Sequence, residues 1–173
     1  GNNRCCLILG DNLFYGHGFP ELLKEAMDKK EGATIFAYAV KDPERSGVVE
    51  FDSSGKVISI EEKPLKPKSK YAIVGLYFFD KEVVKIASQL TPSARGELEI
   101  VDVQKAYLAK DKLYVKIMGR GFAWLDTGTF ESLVAAATFV QIIQERQGIQ
   151  ICCPEEIAFN QGFISKDKLV EIA

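Results

Sequence analysis

The sequence predicts an α/β fold carrying an inserted β-hairpin, and three observations support this. Apolar runs of strand length recur over residues 5–9, 33–40 and 71–79. Segments of helical periodicity lie between and after them, as with Leu22, Leu23, Ala26 and Met27 on one face. Two short extended runs flank the turn Asp52-Ser53-Ser54-Gly55, which is the pattern of a hairpin.

Taken in order, the first run, Cys5-Cys6-Leu7-Ile8-Leu9, is followed at once by Gly10-Asp11-Asn12. A short continuous apolar run reads as a strand buried on both faces, as in a parallel sheet. Ligands of open α/β sheets gather beyond the carboxyl ends of such strands, which places Asp11 where a carboxylate meets a ligand or metal. Asp11 and Asn12 equally suit an Asx-type turn. Residues 13–18 then read as a glycine-containing loop with the single histidine, His17. One histidine cannot anchor a multi-histidine metal site. Pro20 suits a first helical turn, and a helix carrying Leu22 to Met27 follows.

Residues 33–40 read as a second buried strand, and residues 48–51 and 56–60 as the hairpin. Glu61-Glu62-Lys63-Pro64 closes it. Residues 71–79 form the most apolar strand, with Gly75 at its middle. A central glycine marks either a bulge or the close approach of another group to the backbone. Asp80 caps a helix bearing Val83, Val84, Ile86, Ala87 and Leu90, and a polar loop with Arg95 leads to a helix over 100–109. Residues 113–118, charged on one face, read as a strand near an edge. Residues 119–129 form a glycine-rich connection. Thr127 or Thr129 caps a helix over 130–147 whose core face is Leu133, Ala137, Val140 and Ile143, and Gly148 stops it. Two short helices around Gly162 complete the chain.

At 173 residues the chain is sized for a single domain with a real core. Hydrophobic residues make up 47% and charged residues 27%, a globular rather than disordered balance. The net charge of −2 comes from 22 basic and 24 acidic residues mixed along the sequence. No basic stripe suits nucleic acid, and no apolar run suits a membrane span or leader. The four cysteines fall as adjacent pairs, Cys5-Cys6 and Cys152-Cys153. Strand neighbours point to opposite faces, so neither pair chelates one metal, and buried free thiols in a reducing cytoplasm are expected.

The polar groups at strand ends and loops suggest chemistry. Asp11 and Asp126 are carboxylates of the kind that, with substrate phosphate oxygens, hold magnesium. Lys63 and Arg95 suit an anionic substrate. Together they fit phosphoryl or nucleotidyl transfer, where positioning and charge neutralisation dominate. Neither a Walker pattern nor a Rossmann glycine fingerprint is present.

The segments LGDN (9–12), FYGHG (14–18), SGVVEFD (46–52), EEKP (61–64), VGLYFFD (74–80), RGELEIVDV (95–103), GRGFAWLDTGTFESL (119–133) and CPEEIAF (153–159) closely resemble the glucose-1-phosphate thymidylyltransferases. The resemblance is collinear along the chain. It implies a Rossmann-like nucleotidyltransferase sheet with helices on both faces, an inserted hairpin and C-terminal helices. Members of that family open with a strand and a G-x-G-T-R-L nucleotide loop; neither is present here, so the chain resembles the family's later two-thirds.

By position, the resemblance implies Mg2+ ligation by Asp11 and Asp126, and sugar-phosphate contacts by Lys63 and Arg95. It implies glucose contacts by Glu62 and Gly47, with Gly75 and Tyr77 lining the sugar pocket. The implied reactants are dTTP and glucose 1-phosphate. A dTDP-sugar effector and a homo-oligomer are implied as well, with Gly16, Arg120 and Glu156 in the matching effector segments. The implied pathway leads to dTDP-rhamnose and cell-surface polysaccharide. The absent loop would carry an arginine for the leaving pyrophosphate, so this chain alone is expected to be weak or inactive. An open flank on the first strand would favour self-association. Two alternatives stand beside this reading: a uridylyl- or cytidylyltransferase of the same fold, and a non-catalytic sugar-nucleotide-binding or assembly module.

Overall fold

The computed structural model describes residues 3–172. The chain divides into two compact units, residues 1–126 and 127–173. In the first unit the strands are β1 (Cys5–Ile8), β2 (Asn12–Gly16), β3 (Ala33–Ala39), β4 (Gly47–Phe51), β5 (Val57–Glu62), β6 (Tyr71–Phe79), β7 (Leu113–Met118) and β8 (Phe122–Asp126). Its helices are α1 (Phe19–Asp28), α2 (Val83–Ala87) and α3 (Ile100–Leu108).

The main sheet runs β5-β4-β6-β3-β7, with β1 also paired to β6. β6 is its centre, and β3 lies next to it, antiparallel to β6 and parallel to β7. Alternation along β3 sends Ala33, Ile35 and Ala37 to one face and Phe36 to the other, so both faces need cover. On the first face, Ile86 of α2 and Val101, Val103 and Tyr107 of α3 complete a core with Tyr77 and Phe79. On the second, Ala26 of α1 packs with Phe36, Val74, Leu76 and Met118. The antiparallel pair β2–β8 lies on that second side, with Phe14, Phe122 and Trp124 against the same cluster. Helices therefore cover both faces, and the fold is α/β as the sequence predicts.

Buried Asp80 joins three segments. Its carboxylate accepts from the Gly32 amide (2.7 Å), the Tyr107 hydroxyl (2.7 Å) and the Glu82 amide (2.9 Å). Burial alone would push this carboxyl up, but these hydrogen bonds outweigh it and hold it below the usual carboxylate range. Asp80 is thus a tie between strand, helix and turn rather than the cap of a long helix, and α2 is correspondingly short.

The second unit holds α4 (Phe130–Gln147), α5 (Pro154–Asn160) and α6 (Lys166–Ile172). Thr129 caps α4 through a reciprocal pair with Ser132, and Gly148 ends it in the left-handed conformation at φ 66°. The expected core face is only partly realised: Ala136 is the buried residue of α4, while Leu133 and Ala137 are exposed.

Three further expectations are corrected. β1 is not a parallel strand buried on both faces: it pairs antiparallel with β6, Cys5 opposite Phe79 and Ile8 opposite Leu76, and all four residues are exposed. An apolar run shows that a strand wants cover, not that cover is present. Cys5, Cys6 and Cys152 are accordingly exposed and Cys153 half-buried, so the thiols are not the buried set expected. Residues 12–16 are a strand instead of a loop, because the partner that pairs with them, β8, lies over a hundred residues along the chain.

Candidate functional site

The site is built where the β1–β2 turn meets β6. β6 breaks register against β3: Ile35 faces Tyr77 and Ala37 faces Ile73, so Val74, Gly75 and Leu76 bulge opposite Phe36. Gly75 sits in that bulge. Its carbonyl accepts from the Leu9 amide (2.9 Å) and its amide donates to Asn12 Oδ1 (3.1 Å). A Cβ on Gly75 would lie 2.7 Å from Leu9 Cδ1 and 2.8 Å from Asn12 Oδ1, so the glycine is required by the chain's own approach. Both readings of this glycine, bulge and close approach, hold together.

Asn12 also accepts from the Trp124 indole Nε1 (2.6 Å) and donates to Asp11 Oδ1 (2.8 Å). One amide therefore joins the β1–β2 turn, the bulge and β8. Because Asn12 is the ladder partner of Asp126, the pairing of β2 with β8 brings Asp11 and Asp126 to the same end of the ribbon. These carboxylates are residues 11 and 126 in sequence and neighbours in space.

Opposite them lie the hairpin and α3. Gly47 opens β4 beside Glu62, its register partner at the end of β5. A Cβ at Gly47 would stand 3.0 Å from Val101 Cγ2 and 3.3 Å from Glu62 Oε2, so the small residue keeps Glu62 and α3 close. Lys63 follows with φ at 40°, a left-handed backbone that costs a lysine free energy. Its amide donates to the Ser46 carbonyl (3.1 Å).

Asp11, Gly47, Glu62, Lys63, Gly75, Tyr77 and Asp126 all line one cleft of about 210 Å³. Leu9, Asn12, Gln104 and Trp124 contribute to the same wall. Arg95 does not line it but reaches its rim, 3.7 Å from Glu62, while also held by Glu97 (3.0 Å) and Glu99 (3.4 Å). Burial, and after it the Glu99 carboxylate, pushes Glu62 up; Lys63 and Arg95 offset part of that. Tyr77 is pushed up to about 12, by burial first and then by the carboxylates of Glu62 and Asp11, so its phenol stays neutral and able to donate.

Three of the expected residues lie elsewhere. Gly16 ends β2 opposite Phe122, Arg120 is exposed in the turn between β7 and β8, and Glu156 is on α5 of the second unit. A larger groove of about 400 Å³, lined by Arg4, Cys6, Met27 and Phe78 among others, contains none of the expected residues. Sequence reading missed Asn12 as the hub and Gln104 as part of the wall. A helix-face reading places Gln104 one turn from Ile100 and Val101, but nothing local marks it as cleft-facing.

Two carboxylates suffice for magnesium when substrate phosphate supplies the remaining oxygens. Among the described residues no cluster of three or more metal-ligating side chains occurs, so a self-contained protein cage is not what the cleft offers. Asp11 and Asp126 are carboxylates of this wall that could hold a metal with a phosphorylated ligand supplying further oxygens. No helix among the described residues is long and apolar enough to cross a membrane.

A glucose-1-phosphate thymidylyltransferase of Neisseria meningitidis is 57% identical over 173 residues, covering all of this chain and 60% of that protein. The enzyme of the same name from Xanthomonas campestris pv. campestris strain B100 is 54% identical, covering all of this chain and 59% of its own length. The chain thus spans about 60% of the length of the relatives it matches. A Bacillus anthracis protein assigned as a glucose-1-phosphate thymidylyltransferase, solved with sucrose, superposes with a TM-score of 0.71 at 43% identity. That match covers 80% of this chain and 55% of that one. A UDP-glucose pyrophosphorylase solved with UDP-glucose matches at TM-score 0.67 and 22% identity, covering 80% of this chain and 56% of that one, which shows the shared fold. The profile of the Nucleotidyl transferase family matches residues 1–142, and the chain belongs to that family.

Proposed function

We propose that the cleft binds glucose 1-phosphate and that the chain is the sugar-phosphate and metal part of a glucose-1-phosphate thymidylyltransferase. One observation carries this reading: seven residues from five separate sequence motifs converge on one cleft. Lys63 supplies a cation at the mouth, and Arg95 a planar, forked one at the rim, for the sugar's phosphate. Glu62, beside Gly47, accepts from sugar hydroxyls, and the neutral Tyr77 phenol lies in the same wall.

In the proposed reaction a phosphate oxygen of glucose 1-phosphate attacks the α-phosphorus of dTTP. The new P–O bond forms as the bond from the α-phosphorus to the bridging oxygen of pyrophosphate breaks, and pyrophosphate leaves with that electron pair. The nucleophile is already an anion, so no general base is needed. What the protein contributes is alignment of two mutually repelling phosphates. Asp11 and Asp126 would hold a divalent cation, taken as Mg2+, which supplies charge neutralisation there.

The product, dTDP-glucose, suits the route towards dTDP-rhamnose and cell-surface sugars, with a dTDP-sugar as effector. Leu7, Ile8 and Leu9 leave apolar surface open along β1, which favours self-association into a homo-oligomer.

The test is pyrophosphate release with glucose 1-phosphate and either dTTP or UTP, with and without Mg2+, by this chain and by the chain extended to the length of its relatives. Mg2+-dependent release favouring dTTP is expected from the extended chain, with weak release or none from this chain alone. A preference for UTP would move the assignment to a uridylyltransferase. Binding of dTDP-sugars that persists without Asp11 and Asp126, in a protein that releases no pyrophosphate, would make it a binding module.

A further inference from the structure

The amide of Gln104 stands out on the wall of the cleft. Gln104 is wholly buried on α3, and both its Oε1 and Nε2 are buried without a hydrogen-bond partner. Among the described residues no other buried side-chain polar atom is left so. An orphaned amide costs folding free energy, whereas an apolar side chain of similar size in the same helix would not. Packing of α3 therefore gives no reason for a glutamine here. Placement gives one: Gln104 lies one turn from Ile100 and Val101, on the α3 face that meets Gly47, and all of these line the cleft with Glu62 and Tyr77.

We infer that Gln104 is a specificity-determining residue for the sugar, pairing with a ring hydroxyl of the bound hexose 1-phosphate. A carboxamide presents a donor and an acceptor side by side, and a hydroxyl is itself both. Glu62 can only accept while ionised, so a hydroxyl that donates to Glu62 still has lone pairs to fill. Gln104 offers the N–H that fills them, and its own oxygen takes a neighbouring hydroxyl. The orphaned amide of the ligand-free protein becomes satisfied when the sugar enters. A sugar lacking that hydroxyl leaves the amide unpaired, which is the arrangement that discriminates strongly against deoxy analogues.

This inference rests on the assignment of the cleft to glucose 1-phosphate, and the experiment separates the two. Calorimetric affinities for glucose 1-phosphate and its 2-, 3-, 4- and 6-deoxy derivatives are measured with the full chain and with Gln104→Leu and Gln104→Met, alongside thermal midpoints. The expected result is about tenfold weaker binding of glucose 1-phosphate by both variants, with midpoints unchanged or raised. For at least one deoxy derivative the gap between wild type and variants closes. Variants that bind glucose 1-phosphate like the wild type overturn the inference. So do variants with lowered midpoints that lose all the sugars equally, since that marks a structural glutamine. A wild-type chain that binds none of these sugars overturns the cleft assignment itself, and this inference with it.

Discussion

Lys63 links backbone strain to function in a way that one pair of substitutions separates. Its φ of 40° places an L-residue in a region that costs about 1–2 kcal/mol, and Pro64 follows directly, which restricts it further. Strain at one residue persists where something else requires that residue. Lys63→Gly relieves the backbone cost but adds about 0.5–1 kcal/mol of chain entropy to the unfolded state. The net effect on the fold is therefore between zero and about 1.5 kcal/mol of stabilisation. Lys63→Met keeps the strain and most of the stem but loses the charge, so its stability should match the wild type within about 0.5 kcal/mol.

On the proposed assignment both variants lose the same charge-assisted hydrogen bond to the sugar's phosphate, worth about 1.5–3 kcal/mol, or roughly ten- to a hundredfold in Kd. Urea titration reads the first quantity and calorimetry with glucose 1-phosphate the second. The Gly variant should be the more stable of the two, and both should bind weakly. A Gly variant destabilised by more than about 1 kcal/mol would show that the left-handed backbone is not strained. Undiminished binding in either variant would remove Lys63 from the phosphate site.

Three more outcomes follow from the geometry. Asn12→Ala leaves the Gly75 amide and the Trp124 indole without their acceptor and should cost about 2–4 kcal/mol in the same urea titration. Asn12→Asp keeps that acceptor but sets a carboxylate oxygen against Asp11 in place of the donated N–H, so it should recover stability only when combined with Asp11→Asn. Asp80 is held below its unfolded-state range, so its contribution is present in full above the ordinary aspartate range and is lost as pH falls through the lower folded value. Asp80→Asn should accordingly cost about 2–3 kcal/mol at neutral pH, with the gap to wild type narrowing in acid; a gap that stays constant with pH would contradict the assignment. Glu97→Gln removes one of three carboxylates competing for exposed Arg95 and should tighten glucose 1-phosphate binding about two- to fivefold, because such surface pairs are individually weak.

The legible part of this chain is the part with local periodicity. The strand over residues 71–79 and the helices near residues 19–28, 100–108 and 130–147 each declare themselves within a dozen residues. What stayed hidden depends on pairing at long range. The β2–β8 ribbon joins residues 12–16 to 122–126, and its residues read as loop because neither strand has a nearby partner. The resemblance implies an open flank on the first strand, but the exposure of the β1 side chains and cysteines was not readable, since composition reports what a strand could bury and not what lies beside it.

The site divides in the same way. Asp11, Lys63 and Asp126 are recognisable as charged residues at strand ends and in named motifs. Asn12 acquires its meaning only when Gly75 and Trp124 are brought to it. Gln104 is one helix residue among several until both of its amide atoms are seen to lack partners.

The proposed assignment makes this cleft a sugar-phosphate site completed by a metal shared with the ligand. The most direct test is calorimetric titration of glucose 1-phosphate into the chain with and without Mg2+, repeated with Lys63→Met. Saturable one-to-one binding that Lys63→Met weakens by tenfold or more is the predicted result. Absence of binding by the wild type at millimolar sugar phosphate, or binding indifferent to Lys63, would rule out the sugar-phosphate assignment.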